Sequence, residues 1–161
     1  MNKIRVCLDE GAICPTRAHE WDAGLDLYAP EDVTIEPLQC LGYQRRDLHG
    51  VGFVDEPIFG GIPTKIDTGV HVEIPKGYYG HIESKSGLML KGIDCTGTID
   101  CGYTGSISAI MKNTSGKPFE VKRGQKITQL VISKCACPEV EIVETLEDTE
   151  RGDGGFGSTG K

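Results

Sequence analysis

The chain has 161 residues, with 17 Lys and Arg against 24 Asp and Glu, and a net charge of −7. This is the length of one domain, and the excess of acid leaves no basic face for sequence-independent nucleic-acid binding. No run approaches the roughly 18 apolar residues of a membrane span, and the first residues, MNKIRVCLDEGAIC, lack the apolar stretch of a signal peptide. We therefore expect a cytoplasmic protein that binds neither nucleic acid nor membrane. A small anionic ligand is compatible with this charge, because a few placed cations and amides can bind it locally.

Glycine and cysteine stand out in the composition. Gly occupies 22 positions, roughly twice its usual share of ~7%, and 8 positions are Pro, which favours short elements joined by tight turns. Cys occupies 7 positions, an odd number without the spacing of a disulfide framework, so reduced thiols are expected. Cys135 and Cys137 have no second pair at zinc-ligand spacing.

Apolar residues alternate with polar ones along most of the chain, a period of two that predicts strands. In chain order the predicted strands lie at about 32–36, 70–74, 106–111, 126–133 and 139–142. Ile110 breaks the alternation within the third of these and predicts that both faces of that strand are partly covered. One short helix is predicted over 86–91, where Leu88, Met89 and Leu90 follow one another. The predicted fold class is all-β, a sandwich or barrel.

Two segments depart from this pattern. Residues 38–63 are irregular and rich in Gly, which predicts a long loop or an inserted hairpin within a domain spanning 1–150. Residues 151–161, RGDGGFGSTGK, form a Gly-rich tail. Such a tail is most often a disordered end, and it matches only the first part of a phosphate-loop pattern, since no helix follows.

Several polar residues could carry chemistry, each with a structural alternative. Ser86 opens the predicted helix, where free N–H groups suit a phosphate and Lys85 adds a cation, but Ser is also a common N-cap. Asp100 could orient and deprotonate a water, or serve a turn. By itself, Gln129 is interpreted as a polar residue that faces the core or lies at the edge of a strand. His49, His71 and His81 look isolated, His19 precedes the first of the motifs described below, and none of the four has a nucleophile partner.

Five short segments occur in a fixed order: AGLDL at 23–27, SKSGL at 84–88 with KGI at 91–93, GTIDCGYTG at 97–105, RGQKITQL at 123–130 and RGDGGFGSTG at 151–160. Together they resemble the five motifs of the trimeric dUTP pyrophosphatases (dUTPases). The resemblance covers nearly the whole chain from about residue 22 to 160, apart from 38–63. Departures include Lys85 where the family usually has Arg, and Gly102, Thr104, Ser106, Gln125 and Lys126.

The resemblance implies a distorted jelly roll, a β-clip-like barrel with one short helix, assembled as a homotrimer. In such a trimer one chain supplies the first, second and fourth motifs of a site, a second chain the hairpin and a third the tail. The implied reaction is hydrolysis of dUTP to dUMP and pyrophosphate, which limits uracil incorporation into DNA and supplies dUMP for thymidylate synthesis. Magnesium is implied as cofactor, held through the substrate phosphates and water and not by protein ligands.

The resemblance also implies residue roles. Asp100 positions the attacking water, and Arg151 supplies charge to the phosphates. Tyr103 packs under the deoxyribose and excludes a 2′-hydroxyl, Phe156 stacks on the uracil, and Asp26 supports the site through hydrogen bonds. The implied substrate-binding residues are Lys85, Ser86, Gly87, Gly97, Ile99, Tyr103, Gln129, Phe156, Gly157, Ser158 and Thr159.

Two alternatives remain at this stage. One is a dCTP deaminase-like relative, which the 97–105 hairpin and the GGFGSTG tail argue against. The other is a dUTPase-like nucleotide-sensing regulator that binds a protein partner, for which the 38–63 insertion is the candidate surface.

Overall fold

In a computed structural model of the chain, residues 3–47, 53–150 and 152 are described. The tail positions Arg151, Phe156, Gly157, Ser158 and Thr159 lie outside the described residues. The elements in chain order are β1 (Arg5–Leu8), β2 (Gly24–Tyr28), β3 (Val33–Ile35), β4 (Gln39–Asp47), β5 (Phe53–Gly60), β6 (Thr64–Asp67), β7 (Val70–Glu73), β8 (Tyr78–Ser84), α1 (Ser86–Met89), β9 (Ile93–Asp94), β10 (Gly97–Ile99), β11 (Ser108–Asn113), β12 (Phe119–Val121) and β13 (Lys126–Lys134).

The strands form five small antiparallel sheets, and the largest carries the candidate site. Its strand order is β10-β8-β13-β2. A three-stranded sheet has the order β6-β11-β9, and the pairs β1-β7, β12-β3 and β4-β5 complete the described sheets. The prediction of an all-β chain with one short helix is confirmed. That helix, α1, has four residues, and no helix of the described residues is long and apolar enough to cross a membrane.

Most predicted strands are present where the alternation placed them. The predictions at 32–36, 70–74, 106–111 and 126–133 correspond to β3, β7, β11 and β13. Ala109 and Met111 of β11 are buried, and Ile110 on the opposite face is 41% exposed, so that face is covered only in part.

The predicted strand at 139–142 is absent, and residues 135–150 contain no strand. Val140 and Ile142 are 92% and 95% exposed. Alternation alone does not make a strand, because an extended segment needs a neighbouring strand to pair its backbone N–H and C=O groups.

The core lies between the sheets and is built from the inward-facing positions of nearly every strand. Its largest fully buried apolar side chains are Leu27, Ile35, Val70, Ile82, Ile93, Ile107, Met111, Val121, Ile127 and Leu130. Asn113 is the main polar group among them. Its side-chain amide donates to the carbonyls of Ile35 (2.7 Å) and Lys117 (2.9 Å).

The 38–63 segment forms a hairpin, β4 paired with β5, with a register shift between Cys40 and Gly42. Its two strands pair only with each other among the described sheets. The base of the hairpin is attached to the core, because the Leu38 amide donates to the Asn113 carbonyl at 2.7 Å. Gln39 and Gly60 are cross-strand partners just above this attachment.

We expect the hairpin beyond this base to be dispensable for folding. Replacing residues 40–59 with Asn-Gly should change the free energy of unfolding by less than about 1 kcal/mol, because Gln39 and Gly60 already lie at a spacing that a two-residue turn closes. Thermal unfolding and light scattering of the purified variant provide the measurement. As a control, Ile35→Ala, which empties a fully buried site, should cost about 2–5 kcal/mol. A hairpin deletion that destabilises as much as the control, or that changes the oligomeric mass, would contradict this expectation.

Candidate active site

Strand β8 is the axis of the candidate site, since it pairs with β13 on one side and β10 on the other. In this register Gln129 of β13 lies opposite Glu83 of β8 and opposite Asp26 of β2. Cross-strand partners share a face of the sheet. The first and fourth sequence motifs therefore meet the end of β8, where the second motif begins.

Asp26 is a buried carboxylate held between two lysines. Its side chain is 4% exposed, and its two oxygens lie 2.5 Å from Lys85 Nζ and 2.7 Å from Lys126 Nζ. Burial by itself raises the pKa of this carboxyl, but the hydrogen bonds and charges of Lys126 and Lys85 outweigh it and hold the pKa below its usual value. Asp26 thus stays ionised and fixes two ammonium groups. The side chains of Lys85 and Lys126 that carry them are 30% and 41% exposed.

Lys126 was noted in the sequence only as a departure from the family pattern. The structure places it with Lys85 on the two oxygens of one carboxylate. The available signal is its position three residues before Gln129, at the start of the strand predicted over 126–133. Gly24 is a second residue that the sequence did not indicate as part of the site. An added Cβ there would lie 2.9 Å from Gln129 Cδ, so Gly lets the Gln129 side chain lie this close to β2.

Ser86 and Gly87 open α1 immediately after the lysine pair. The helix N-cap is Lys85, with extended backbone angles and no side-chain capping hydrogen bond. The interpretation of Ser86 as an N-cap is therefore wrong. Its exposed hydroxyl does not cap the start of the helix. Gly87 is exposed, with nothing within 4 Å of an added Cβ.

The segment 100–106, which we call the Asp100 loop, follows β10 at the other end of β8. Asp100 and Tyr103 line one cavity of about 340 Å³, together with Lys65, Thr98, Ile99, Ser106 and Ser108. The Tyr103 amide donates to the Asp100 carbonyl at 3.1 Å, and the Tyr103 hydroxyl donates to the Ser106 carbonyl at 3.1 Å. An added Cβ on Gly105 would lie 2.6 Å from Tyr103 Cζ, so Gly105 leaves room for the ring.

The two groups of site residues are far apart within one chain. Gly97 and Ile99 of β10 lie opposite Ile82 and Gly80, which places the Asp100 loop beyond Gly80. Lys85 lies five residues further along the chain, a distance of roughly 16 Å in an extended strand. One chain therefore brings Asp26, Lys85, Ser86 and Gln129 together, and separately Ile99, Asp100 and Tyr103, but does not join the two groups.

The described cysteines are all free thiols, with Cys135 Sγ and Cys137 Sγ 4.0 Å apart. Among the described residues no group of three or more His, Cys, Asp or Glu side chains is arranged to hold a metal ion. Both oxygens of Asp26 are taken by ammonium groups, and Asp100 is the one carboxylate among the described residues that line the cavity of about 340 Å³.

The expectation that the histidines are isolated is wrong for two of them. His81 Nδ1 lies 2.8 Å from a Glu83 oxygen. His71 contacts both Asp9 Oδ2 and the carbonyl of Thr104 in the Asp100 loop. Asp9 and His71 are 62 positions apart in the chain, so no sequence pattern connects them.

The chain was compared with known protein families, curated proteins and solved structures. The dUTPase family model matches residues 55–160. Deoxyuridine 5′-triphosphate nucleotidohydrolase of Candida glabrata is 40% identical over 99% of this chain and 98% of its own length. The enzymes of that name from Paramecium bursaria Chlorella virus 1 and Mus musculus are 38% and 37% identical, over 94% and 83% of their own lengths.

Solved structures agree with the sequence relatives. A mutant of Staphylococcus bacteriophage 80alpha dUTPase with dUpNHpp matches with a TM-score of 0.79 and 29% identity over 100% of both chains. The dUTPase of phage phi11 of S. aureus, described as showing a species-specific insert, matches with a TM-score of 0.71 and 28% identity over 92% of this chain and all of its own.

The chain belongs to the dUTPase family, so the resemblance of its five motifs is confirmed. The predicted fold class is confirmed with it, because nearly all-β neighbours of the jelly-roll type superpose on the whole chain.

The Asp26 ion pairs generate a stability prediction. Asp26→Asn should lower the free energy of unfolding at pH 7 by about 1–3 kcal/mol, because two ammonium groups lose their counter-ion while keeping partial access to water. The pKa of Asp26 is lowered by folding, so its contribution is present above the unfolded pKa of ~3.9 and is lost as the pH falls through the folded pKa. Denaturant unfolding of wild type and variant should therefore show a difference in the free energy of unfolding that is smaller at pH 3 than at pH 7.

The matched control is Asp32→Asn, which removes an exposed carboxylate that lies 2.9 Å from Lys122 Nζ. It should have a smaller effect at pH 7, because water screens the exposed pair. Equal losses for the two variants, or a gap for Asp26→Asn that is as large at pH 3 as at pH 7, would contradict the role assigned to the buried pair.

Proposed function

We propose that this chain hydrolyses dUTP to dUMP and pyrophosphate. The observation that carries the proposal is the Asp100 loop, which places a carboxylate and an aromatic ring on one cavity of about 340 Å³. That volume is within the range of nucleotide-sized ligand sites. Family membership and the curated relatives named for this reaction support the same assignment. A dCTP deaminase activity finds no such support.

Asp100 acts on the attacking water. Its carboxylate is exposed at the cavity, where it can accept a proton from water while orienting the oxygen toward the α-phosphorus. Tyr103 forms the wall beside it, and its hydroxyl is tied to the Ser106 carbonyl, which fixes the ring. A fixed ring under the sugar leaves no volume for a 2′-hydroxyl and selects deoxyribose.

The triphosphate binds where Asp26 gathers the lysines. Lys85 and Lys126 present ammonium groups at one place, and Ser86 adds an exposed hydroxyl next to them. Gln129 shares the face of Asp26 and adds an amide donor. In the tail, Arg151, Ser158 and Thr159 add donors to the phosphates, Gly157 adds its backbone amide, and Phe156 covers the base.

The separation of the two groups supports a site shared between subunits. The Asp100 loop and the lysine pair lie toward opposite ends of β8, and the five residues from Gly80 to Lys85 span roughly 16 Å of extended strand. In a homotrimer the lysine group of one chain faces the Asp100 loop of a second, and the tail of a third closes the site.

Magnesium fits this donor set as a cofactor held mainly by the substrate. Mg²⁺ keeps several waters and binds phosphate oxygens with few protein ligands, and the described residues offer no ready cluster of three carboxylate, imidazole or thiolate ligands. When bound, the ion neutralises phosphate charge and fixes the geometry of the triphosphate. One solved relative, from phage phi11, is described as coordinating a structural Mg(II) ion.

The β4–β5 hairpin is a candidate surface for a protein partner. Leu41 and Tyr43 on it are 67% and 69% exposed. Exposed apolar side chains of this kind suit an interaction surface that lies outside the proposed active site. We also propose a cytoplasmic location, as the sequence analysis predicts.

Pyrophosphate release across the deoxynucleoside triphosphates tests the reaction. Wild type should act on dUTP far faster than on dCTP, dTTP or dATP, and should release no ammonia from dCTP. Asp100→Asn should lower kcat by roughly 10²–10⁴-fold and leave KM for dUTP nearly unchanged, because the carboxylate acts in the transition state. Asp94→Asn, an exposed carboxylate in β9, is the matched control and should retain wild-type kcat. A near-normal kcat in Asp100→Asn would show that Asp100 does not activate the attacking water.

Tyr103 generates a prediction about sugar selectivity. Tyr103→Ala should raise the ratio of kcat/KM for UTP to that for dUTP, because truncation opens the volume that the ring occupies. Tyr103→Phe keeps the ring and loses only the hydrogen bond to the Ser106 carbonyl, so it should retain most of the discrimination. The two ratios come from steady-state kinetics with each nucleotide. An unchanged ratio in Tyr103→Ala would show that another group excludes the 2′-hydroxyl.

A further inference from the structure

The Asp100 loop is held by two side chains that flank the turn between β6 and β7. Asp67, at the end of β6, accepts a short hydrogen bond from the Ser106 hydroxyl and a second from the Gly69 amide at 3.1 Å. His71, in β7, reaches the loop two residues earlier, where its Nδ1 lies 2.8 Å from the Thr104 carbonyl oxygen. Thr104 directly follows Tyr103, so this contact lies next to the ring that forms the sugar pocket.

The second ring nitrogen of His71 is oriented by a separate element. His71 Nε2 lies 3.1 Å from Asp9 Oδ2, and Asp9 is itself anchored because its amide donates to the Gly69 carbonyl at 2.9 Å. His71 therefore lies between a carboxylate fixed to the β6–β7 turn and a carbonyl of the Asp100 loop. These two contacts orient the His71 ring and hold the Asp100 loop in place.

Both partners of His71 are acceptors, and this decides the protonation state that the geometry requires. A carboxylate and a carbonyl have no hydrogen to donate, and a neutral imidazole carries only one N–H. Only the imidazolium can donate to Asp9 and Thr104 at once. Loss of its proton leaves a nitrogen lone pair facing an oxygen on one side.

We propose that His71 is a positioning residue for dUTP hydrolysis, which in its doubly protonated form holds the Asp100 loop in the geometry that binds the nucleotide. It touches neither the proposed water nor the phosphates and acts through the Thr104 backbone. The proposal rests on the proposed function of the Asp100 loop.

The charges around His71 favour the imidazolium. The hydrogen bond to the Thr104 carbonyl, followed by that to the Asp9 carboxylate, raises the pKa of His71 above its usual value, and the charge of Asp67 acts in the same direction. The Ser106 hydrogen bond holds the pKa of Asp67 below its usual value, so Asp67 is ionised. Arg5, Glu73 and Cys7 line the same cavity as His71, and Arg5 and Glu73 are paired with each other.

The direction of the pH effect follows from the raised pKa. Both hydrogen bonds of His71, to Asp9 and to the Thr104 carbonyl, are made below the unfolded pKa of ~6.5. One of them is lost as the pH rises through the folded pKa of His71. KM for dUTP should therefore rise across that range by about 2–10-fold, the value of one hydrogen bond. Asp9→Asn should move this rise to lower pH, because it removes the carboxylate that supports the imidazolium.

Two substitutions separate positioning from simple structural support. In His71→Asn the amide nitrogen takes the place of Nδ1 and can donate to the Thr104 carbonyl at any pH. In His71→Gln the amide nitrogen takes the place of Nε2 and reaches toward Asp9 only. KM measured from pH 5.5 to 9 should be low and independent of His71 titration in His71→Asn, and raised at all pH values in His71→Gln. Identical pH profiles in wild type and both variants would overturn the proposal.

A measurement on the wild-type protein covers the case in which the variants fail to fold. If the imidazolium favours the nucleotide-binding geometry, then bound nucleotide must favour the imidazolium by the same factor. The NMR titration of His71 should show a higher pKa with saturating dUMP than without it, and an unchanged pKa would overturn the proposal. An enzyme that does not hydrolyse dUTP at all would instead contradict the proposed function, so the two failures are distinguishable.

Discussion

The pairing of β8 with β13 is the constraint on which the arrangement of the site depends. It runs from Ser84 opposite Thr128 to Tyr78 opposite Lys134, so it sets the register of both strands over their full overlap. A slip of one residue would turn Gln129 away from the face that carries Asp26 and would expose Leu130, which is fully buried. The buried side chains of these strands thus enforce the register that the polar residues need.

That register places the lysine group and the Asp100 loop toward opposite ends of β8. At its carboxyl end, Asp26 uses both oxygens to gather two lysines, which concentrates positive charge at one place without an unpaired buried carboxylate. At its amino end, β10 leads into the Asp100 loop, which presents a carboxylate and a ring to a cavity. This separation along β8 is the observation that supports the proposed site shared between subunits.

The Asp100 loop is an exposed segment that is positioned without a core of its own. Its residues contribute no side chain to the core before Ile107, and its order comes from hydrogen bonds to the β6–β7 turn. The hydrogen bond that Asp67 accepts from Ser106 and the contact of His71 with the Thr104 carbonyl are directional and respond to protonation, in contrast to apolar packing. A loop held in this way can be both well placed and sensitive to pH.

Sequence patterns by themselves determined the fold class, four of the strands, the short helix and the residues of the five motifs, because alternation and motif order are local properties that one chain displays directly. They also indicated an inserted segment at 38–63, although a Gly-rich stretch does not distinguish a loop from the β4–β5 hairpin. Only the tertiary structure decided that residues 139–142 form no strand, that Lys126 shares Asp26 with Lys85, and that His71 joins Asp9 to the Asp100 loop. These outcomes depend on which strands pair and in which register. Contacts between residues as distant as Asp9 and His71 are set by the packing of the whole chain and leave no periodic or motif signal in the sequence.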